Sequence, residues 1–214
     1  MIKVSDVVHE IVAADGFIQE TMREGVLNIS AYAKKILPQV EERSMKPVRL
    51  GTVVVALSRI VRAGASTRPL RPDVTITNVS VKTSLCEVTY EKTEHVLSKL
   101  STLNTSWVSR GEFFTVTEGL AEITLICPQS VKQSIIPHFD IRPKSEYDNL
   151  VAVSIRFSPE YMLVPNTIYA MVSAVAVKHI NIIEIVSTYT ELSFVILKED
   201  MERTIQAINP YFQK

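Results

Sequence analysis

Residues 149–212 read NLVAVSIRFSPEYMLVPNTIYAMVSAVAVKHINIIEIVSTYTELSFVILKEDMERTIQAINPYF, and the apolar spacing within them switches between two periods. In 150–157, Val151, Val153, Ile155 and Phe157 alternate with Ala152, Ser154 and Arg156, which predicts a strand with one buried face. Pro159 ends it. Ile168, Met171, Val172 and Val175 then fall at i, i+3, i+4 and i+7, one helix face, with Asn166 or Thr167 as N-cap and an end near His179. Two β-branched runs, 182–189 and 191–197, predict a hairpin turning at 189–191. Glu199, Asp200 and Glu202 suit the positive start of a last helix, whose inner stripe is Met201, Ile205 and Ile208 and which Pro210 closes.

The order is βαββα, and three short motifs in it resemble the regulatory ACT domains of aspartate kinases. In those domains a strand gives way to a Pro-Gly turn, the helix runs to an Ile-Asn-Val/Ile step, and the second hairpin strand resembles Ser-Glu-Ile-Ser-Phe. The matching text is Val164-Pro165-Asn166, Ile180-Asn181-Ile182 and Thr190-Glu191-Leu192-Ser193-Phe194-Val195. The resemblance implies a ferredoxin-like fold, oligomerisation through ACT pairs, and binding of an amino acid or similar small metabolite. Carried over by motif, the implied ligand-binding residues are Val164, Pro165, Asn166 and Thr167 on the loop, Asn181, Ile182 and Ile183 on the following strand, and Glu191. One departure stands out: the family's turn glycine is Asn166 here. Asparagine tolerates a left-handed backbone better than most residues, but its side chain crowds the approach.

The same order of elements is legible upstream. Alternation over 74–90 (Val79, Val81, then Cys86, Val88, Tyr90) predicts one or two strands. Val96, Leu97, Leu100 and Leu103 share a helix face capped by Thr93. Runs 113–117 and 121–127 form a hairpin around Glu118-Gly119, and 131–136 starts a helix limited by Pro137. The expected fold class is therefore α+β, with two ferredoxin-like βαββα ACT-type domains at 73–140 and 147–214 behind a helical, winged-helix-like domain at 1–66.

That first domain shows four amphipathic segments: a turn at Val4, Val7, Val8 and Ile11, then 17–22, 29–36 and 48–63. Pro38 and Pro47 are read as breakers in the connector before the last helix, and 64–71 as a linker or wing base. Residues 34–72 carry nine Lys/Arg against two Asp/Glu in a chain of zero net charge. The segment 50–60 resembles a recognition helix, which would place Lys46, Arg49, Thr52, Arg59 and Arg62 against nucleic-acid phosphates and bases. A solvated face balancing the acidic remainder is the other reading of the same residues.

Catalytic chemistry has little footing. The six glycines fall in no phosphate-cradling spacing, and no kinase-type Lys-Phe-Gly-Gly motif occurs, so the resemblance reaches the regulatory part alone and implies no enzyme activity. His138-Phe139-Asp140 offers two donors without the third that a metal site needs, and Ser158 and Glu160 have no histidine placed by sequence to activate a nucleophile. No cofactor or metal is expected. Cys86 and Cys127 sit in apolar runs and read as buried thiols. Neither a long apolar span nor a signal-like start occurs, so the default expectation is cytoplasmic with no membrane partner. The functional expectation is a non-catalytic regulator that binds an amino acid and forms homo-oligomers. The competing expectation is an interaction subunit whose ACT pair oligomerises without ligand.

Overall fold

Asp15 and Asn28 set the helix starts of the first unit. In the computed structural model, which describes residues 3–64, 69–104, 106 and 111–211, the chain divides into two units, Met1–Pro72 and Asp73–Lys214. Helices α1 (Val4–Ala13), α2 (Gly16–Arg23), α3 (Ile29–Ser44) and α4 (Leu50–Arg62) make up the first. The Asp15 carboxylate accepts from the Phe17 and Ile18 amides, and the Asn28 side chain from that of Ala31, so each satisfies N–H groups that a helix start leaves open. Val7, Val8, Ile11, Tyr32, Ala33, Ile36, Val40, Val53 and Leu57 form the core among these helices.

Pro38 does not break α3, contrary to the sequence expectation; the helix runs through it to Ser44. Proline removes the bond to the Lys34 carbonyl, but both residues are exposed and water can take that carbonyl. The buried stripe Tyr32, Ala33, Ile36 and Val40 continues across it and holds the helix together. The real stop is Met45, left-handed at φ 56°, where the Lys46 and Met45 amides return to the Glu41 and Glu42 carbonyls. Residues 65–68, within the stretch read as linker or wing base, lie outside the described residues.

The second unit is an antiparallel six-stranded sheet in the order β2-β3-β1-β4-β6-β5. Its elements are β1 (Ile76–Glu91), α5 (Glu94–Ser101), β2 (Thr115–Glu118), β3 (Glu122–Pro128), α6 (Lys132–Phe139), β4 (Ser145–Phe157), α7 (Thr167–Ala176), β5 (Ile182–Ser187), β6 (Glu191–Leu197) and α8 (Met201–Ile208). The βαββα order occurs twice, and two long strands join the copies. The second half of β1 pairs with β3 and the first half of β4; the first half of β1 pairs with the second half of β4, beside β6. Each copy thus has four strands, two of them halves of β1 and β4, which both copies share.

A parity switch makes the sharing work. In β1 the residues facing helices are Val79 and Val81 before the join and Cys86, Val88 and Tyr90 after it. The register shifts between Lys82 and Leu85 and, in the opposite sense, between Leu85 and Glu87, with Ser84 and Asn149 at positive φ (58° and 57°). Each strand inserts one extra residue there, and the two bulges return both halves' apolar residues to one sheet face. On that face α7 and α8 cover Val151, Val153, Ile155, Phe194 and Ile196, while α5 and α6 cover Cys86, Val88, Tyr90, Leu125 and Cys127. Tyr90 stacks on Phe139, ring centroids 4.4 Å apart.

Two helix readings change. α6 runs through Pro137 to Phe139, because Ile135 and Phe139 bury on either side of it; left-handed Asp140 (φ 56°) ends the helix. In α7 the buried positions are Thr167, Ala170, Met171, Ser173 and Val175, and Ile168 is 50% exposed. The helix is apolar on almost every side, so its own pattern could not fix which residues turn inward.

Candidate functional site

A 3-10 turn, Pro159–Leu163, delivers the chain to Asn166, whose φ of 69° is the left-handed conformation that glycine takes most easily. Thr167 is buried, and its hydroxyl donates within a turn formed by the Val164 carbonyl at 2.9 Å and the Tyr161 carbonyl at 3.1 Å. Val164, Pro165 and Asn166 thus lead into the N-terminus of α7, a direction from which backbone amides can meet an anion. Asn181 is exposed, and Ile182 and Ile183 begin β5 half-buried. Glu191 stands opposite Arg156 at the end of the sheet where β4 passes into this loop, and 181–183 stand at the other end. Ile182 pairs with Ile196, and Glu191 starts β6 five residues away from that rung, about 16 Å by strand rise.

Glu191 also borders a trough of about 870 Å³ on the face of the sheet opposite the helices. Both edge strands, β2 and β5, line it, so the sheet curls around this face. One cross-strand row, Ser80 on β1, Ser154 on β4 and Ser193 on β6, forms its floor. The Ser154 and Ser193 hydroxyls are hydrogen-bonded at 2.6 Å. The neighbouring row contributes half-buried Lys82 and ends on Ala152 and Val195, and the outer row pairs Arg156 with Glu191 at 2.5 Å. Phe113 and Val186 form part of the wall. Nothing in the linear sequence marks these serines and Lys82 as neighbours; they meet only through strand register. The one local trace is small polar residues at the outward positions of otherwise β-branched strands.

Deeper on the same face, Leu85, Ile126, Leu150, Ala152 and Val195 make a small apolar core, with Glu87 two residues beyond Leu85. Glu87 is 6% exposed and its Oε2 has no hydrogen-bond partner. Burial pushes its carboxyl up to about 7, and the negative charge of Glu184 adds to the shift, against a hydrogen bond from Thr89.

The other chemical candidates have structural partners. His138 Nε2 lies 2.7 Å from the Lys99 carbonyl, and Asp140 is the C-cap of α6. Cys86 and Cys127 face each other across β1 and β3, both fully buried, with Sγ atoms 3.5 Å apart. Among the described residues, no group of three or more His, Cys, Asp and Glu could hold a metal ion, and no helix is long and apolar enough to cross a membrane.

In the first unit, Arg49 is the N-cap of α4, and Thr52, Arg59 and Arg62 are exposed on the helix side away from buried Val53, Ala56 and Leu57. Lys46 lies in the turn before it. Arg59 also borders a largely apolar groove of about 680 Å³ between α1, α2 and α4, with His9 and Gln19.

No protein-family model and no curated protein matches the sequence. Solved structures do. The regulatory subunit of aspartate kinase from Thermus flavus matches at 15% identity and TM-score 0.53, covering 65% of this chain and 99% of that one. The ligand-free regulatory subunit from Thermus thermophilus matches at 17% and 0.51, covering 66% and 100%. Aspartate kinase from Clostridium acetobutylicum matches at 15% and 0.52, over 67% of this chain but only 36% of the enzyme. At these identities the likeness is one of fold: the chain has the α+β architecture of aspartate kinase regulatory regions, and the match spans about a third of the full-length enzyme.

Proposed function

We propose that this is a non-catalytic regulatory protein that binds an amino acid or similar small metabolite at two ACT-like domains, 73–140 and 147–214. The observation that carries the reading is the left-handed turn at Asn166, a conformation that glycine takes most easily, leading into the start of α7. Val164, Pro165, Asn166 and Thr167, with Asn181, Ile182 and Ile183, are the proposed contacts. Their suitability is physical: helix-start amides donate to a ligand carboxylate, and strand-end carbonyls accept from its ammonium. The likeness in fold to regulatory subunits of aspartate kinase supports a role without chemistry. Pairing of ACT-like domains between copies would make the protein a homo-oligomer, and ligand-dependent pairing is the proposed output.

A thermal-shift screen with the common L-amino acids tests the reading. Stabilisation that grows with the concentration of one of them is expected. If none stabilises the protein at millimolar concentration, the reading gives way to an interaction subunit whose ACT pair only oligomerises.

A second reading concerns 1–66, proposed as a helix-turn-helix-like module. The exposed α4 side bearing Thr52, Arg59 and Arg62, with Arg49 and Lys46 at its start, favours contact with DNA. Filter binding to duplex DNA in low salt decides it: retention that falls as salt rises is expected, and none at low salt removes DNA as a partner.

A further inference from the structure

The trough on the open face of the sheet is separate from the α7 start, and we infer that it is a second ligand site, for a small zwitterion held by its carboxylate on Lys82. Its volume, about 870 Å³, lies within the usual range for ligand clefts. Room exists because the floor row is serine on three adjacent strands, where larger side chains would fill the curl.

Lys82 supplies the cation of the trough. It is half-buried in the trough and has no ion pair or hydrogen bond among the described residues. A partly desolvated ammonium without a partner is unfavourable, and a carboxylate is the group that satisfies it. The row beside it supplies neutral donors. Ser154 and Ser193 have two hydroxyl protons and use one between them, so one remains to donate; the Ser80 hydroxyl has no partner among the described residues.

The charge at the outer end selects against other anions. Both Arg156 contacts fall on Glu191 Oε1, which leaves Oε2 open toward a cation. Glu112 adds a second carboxylate to the lining. A phosphate or dicarboxylate satisfies Lys82 but meets these charges with its own, whereas an ammonium donates to them.

Two-dimensional amide NMR of the uniformly labelled full chain tests the site, titrated with the common L-amino acids one at a time and with succinate and inorganic phosphate. The expected result is saturable shifts at Ser80, Lys82, Ser154 and Ser193 with an amino acid, and dissociation constants about tenfold or more weaker in Lys82→Met. Lys82→Gln and Ser154→Ala should weaken binding in the same direction, and the dispersion of each variant's spectrum reports that it is folded. Shifts confined to 164–167 and 181–183 overturn this site while leaving the proposed function standing. Equal or tighter binding of succinate or phosphate in the trough overturns the zwitterion assignment. No shifts with any amino acid overturn both.

Discussion

Replacing Glu87 with glutamine should make the protein more stable above neutral pH and leave it unchanged in acid. Glu87 is 6% exposed with an unpartnered Oε2, and its pKa rises from the ordinary 4.5 to about 7, first through burial and then through the charge of Glu184. Below the unfolded-chain value both states are protonated, and the stability is fully present. Between that value and about 7 the unfolded chain releases the proton while the folded chain retains it, so stability falls by about 1.4 kcal/mol per pH unit. Above about 7 the loss levels off at about 3 kcal/mol, a large share of a typical folding free energy. Glu87→Gln keeps the shape and the neutral form, so its advantage over wild type should be near zero at about pH 4 and about 3 kcal/mol at about pH 8. Glu184→Gln should give a smaller change of the same sign, because it removes only the like-charge contribution. Urea unfolding of the three proteins across this pH range measures both differences. A difference between wild type and Glu87→Gln that does not vary with pH would refute a buried, shifted carboxyl.

Two further substitutions probe the backbone. Asn166→Val should lower stability by about 1–2 kcal/mol, since a β-branched residue is strained at φ 69°, while Asn166→Gly should not. Thermal unfolding checks this, and equal losses in both would show that the side chain, rather than the turn, matters. Pro38→Ala restores the amide that α3 lacks opposite the Lys34 carbonyl. It should raise stability by about 1–2 kcal/mol after the greater freedom of the unfolded chain is counted. A less stable variant in urea unfolding would mean that the helix is shaped around the proline.

Much of the secondary structure follows from local chemistry. Strand alternation in 150–157, the Thr93 cap, the hairpins and the last helix are legible because a strand's two faces and a helix's stripe each leave a period in the sequence. Prolines misled where a continuous buried stripe outweighed one lost bond, as at Pro38 and Pro137. Ile168 misled because an almost wholly apolar helix has no unique inward side.

The sequence by itself determined the elements, their βαββα order and the polarity of each exposed position. Even the parity change between Val81 and Cys86 is written in it. Only the tertiary structure decided what that change does: two bulges let β1 and β4 serve both copies, so that the helices cover one face and the other curls into a trough. Ser80, Lys82, Ser154, Ser193 and Glu191 become neighbours there through hydrogen-bonded register between distant segments. A one-residue slip would send every one of those side chains to the opposite face, and register is fixed by burial of the whole sheet, not by any residue's immediate neighbours.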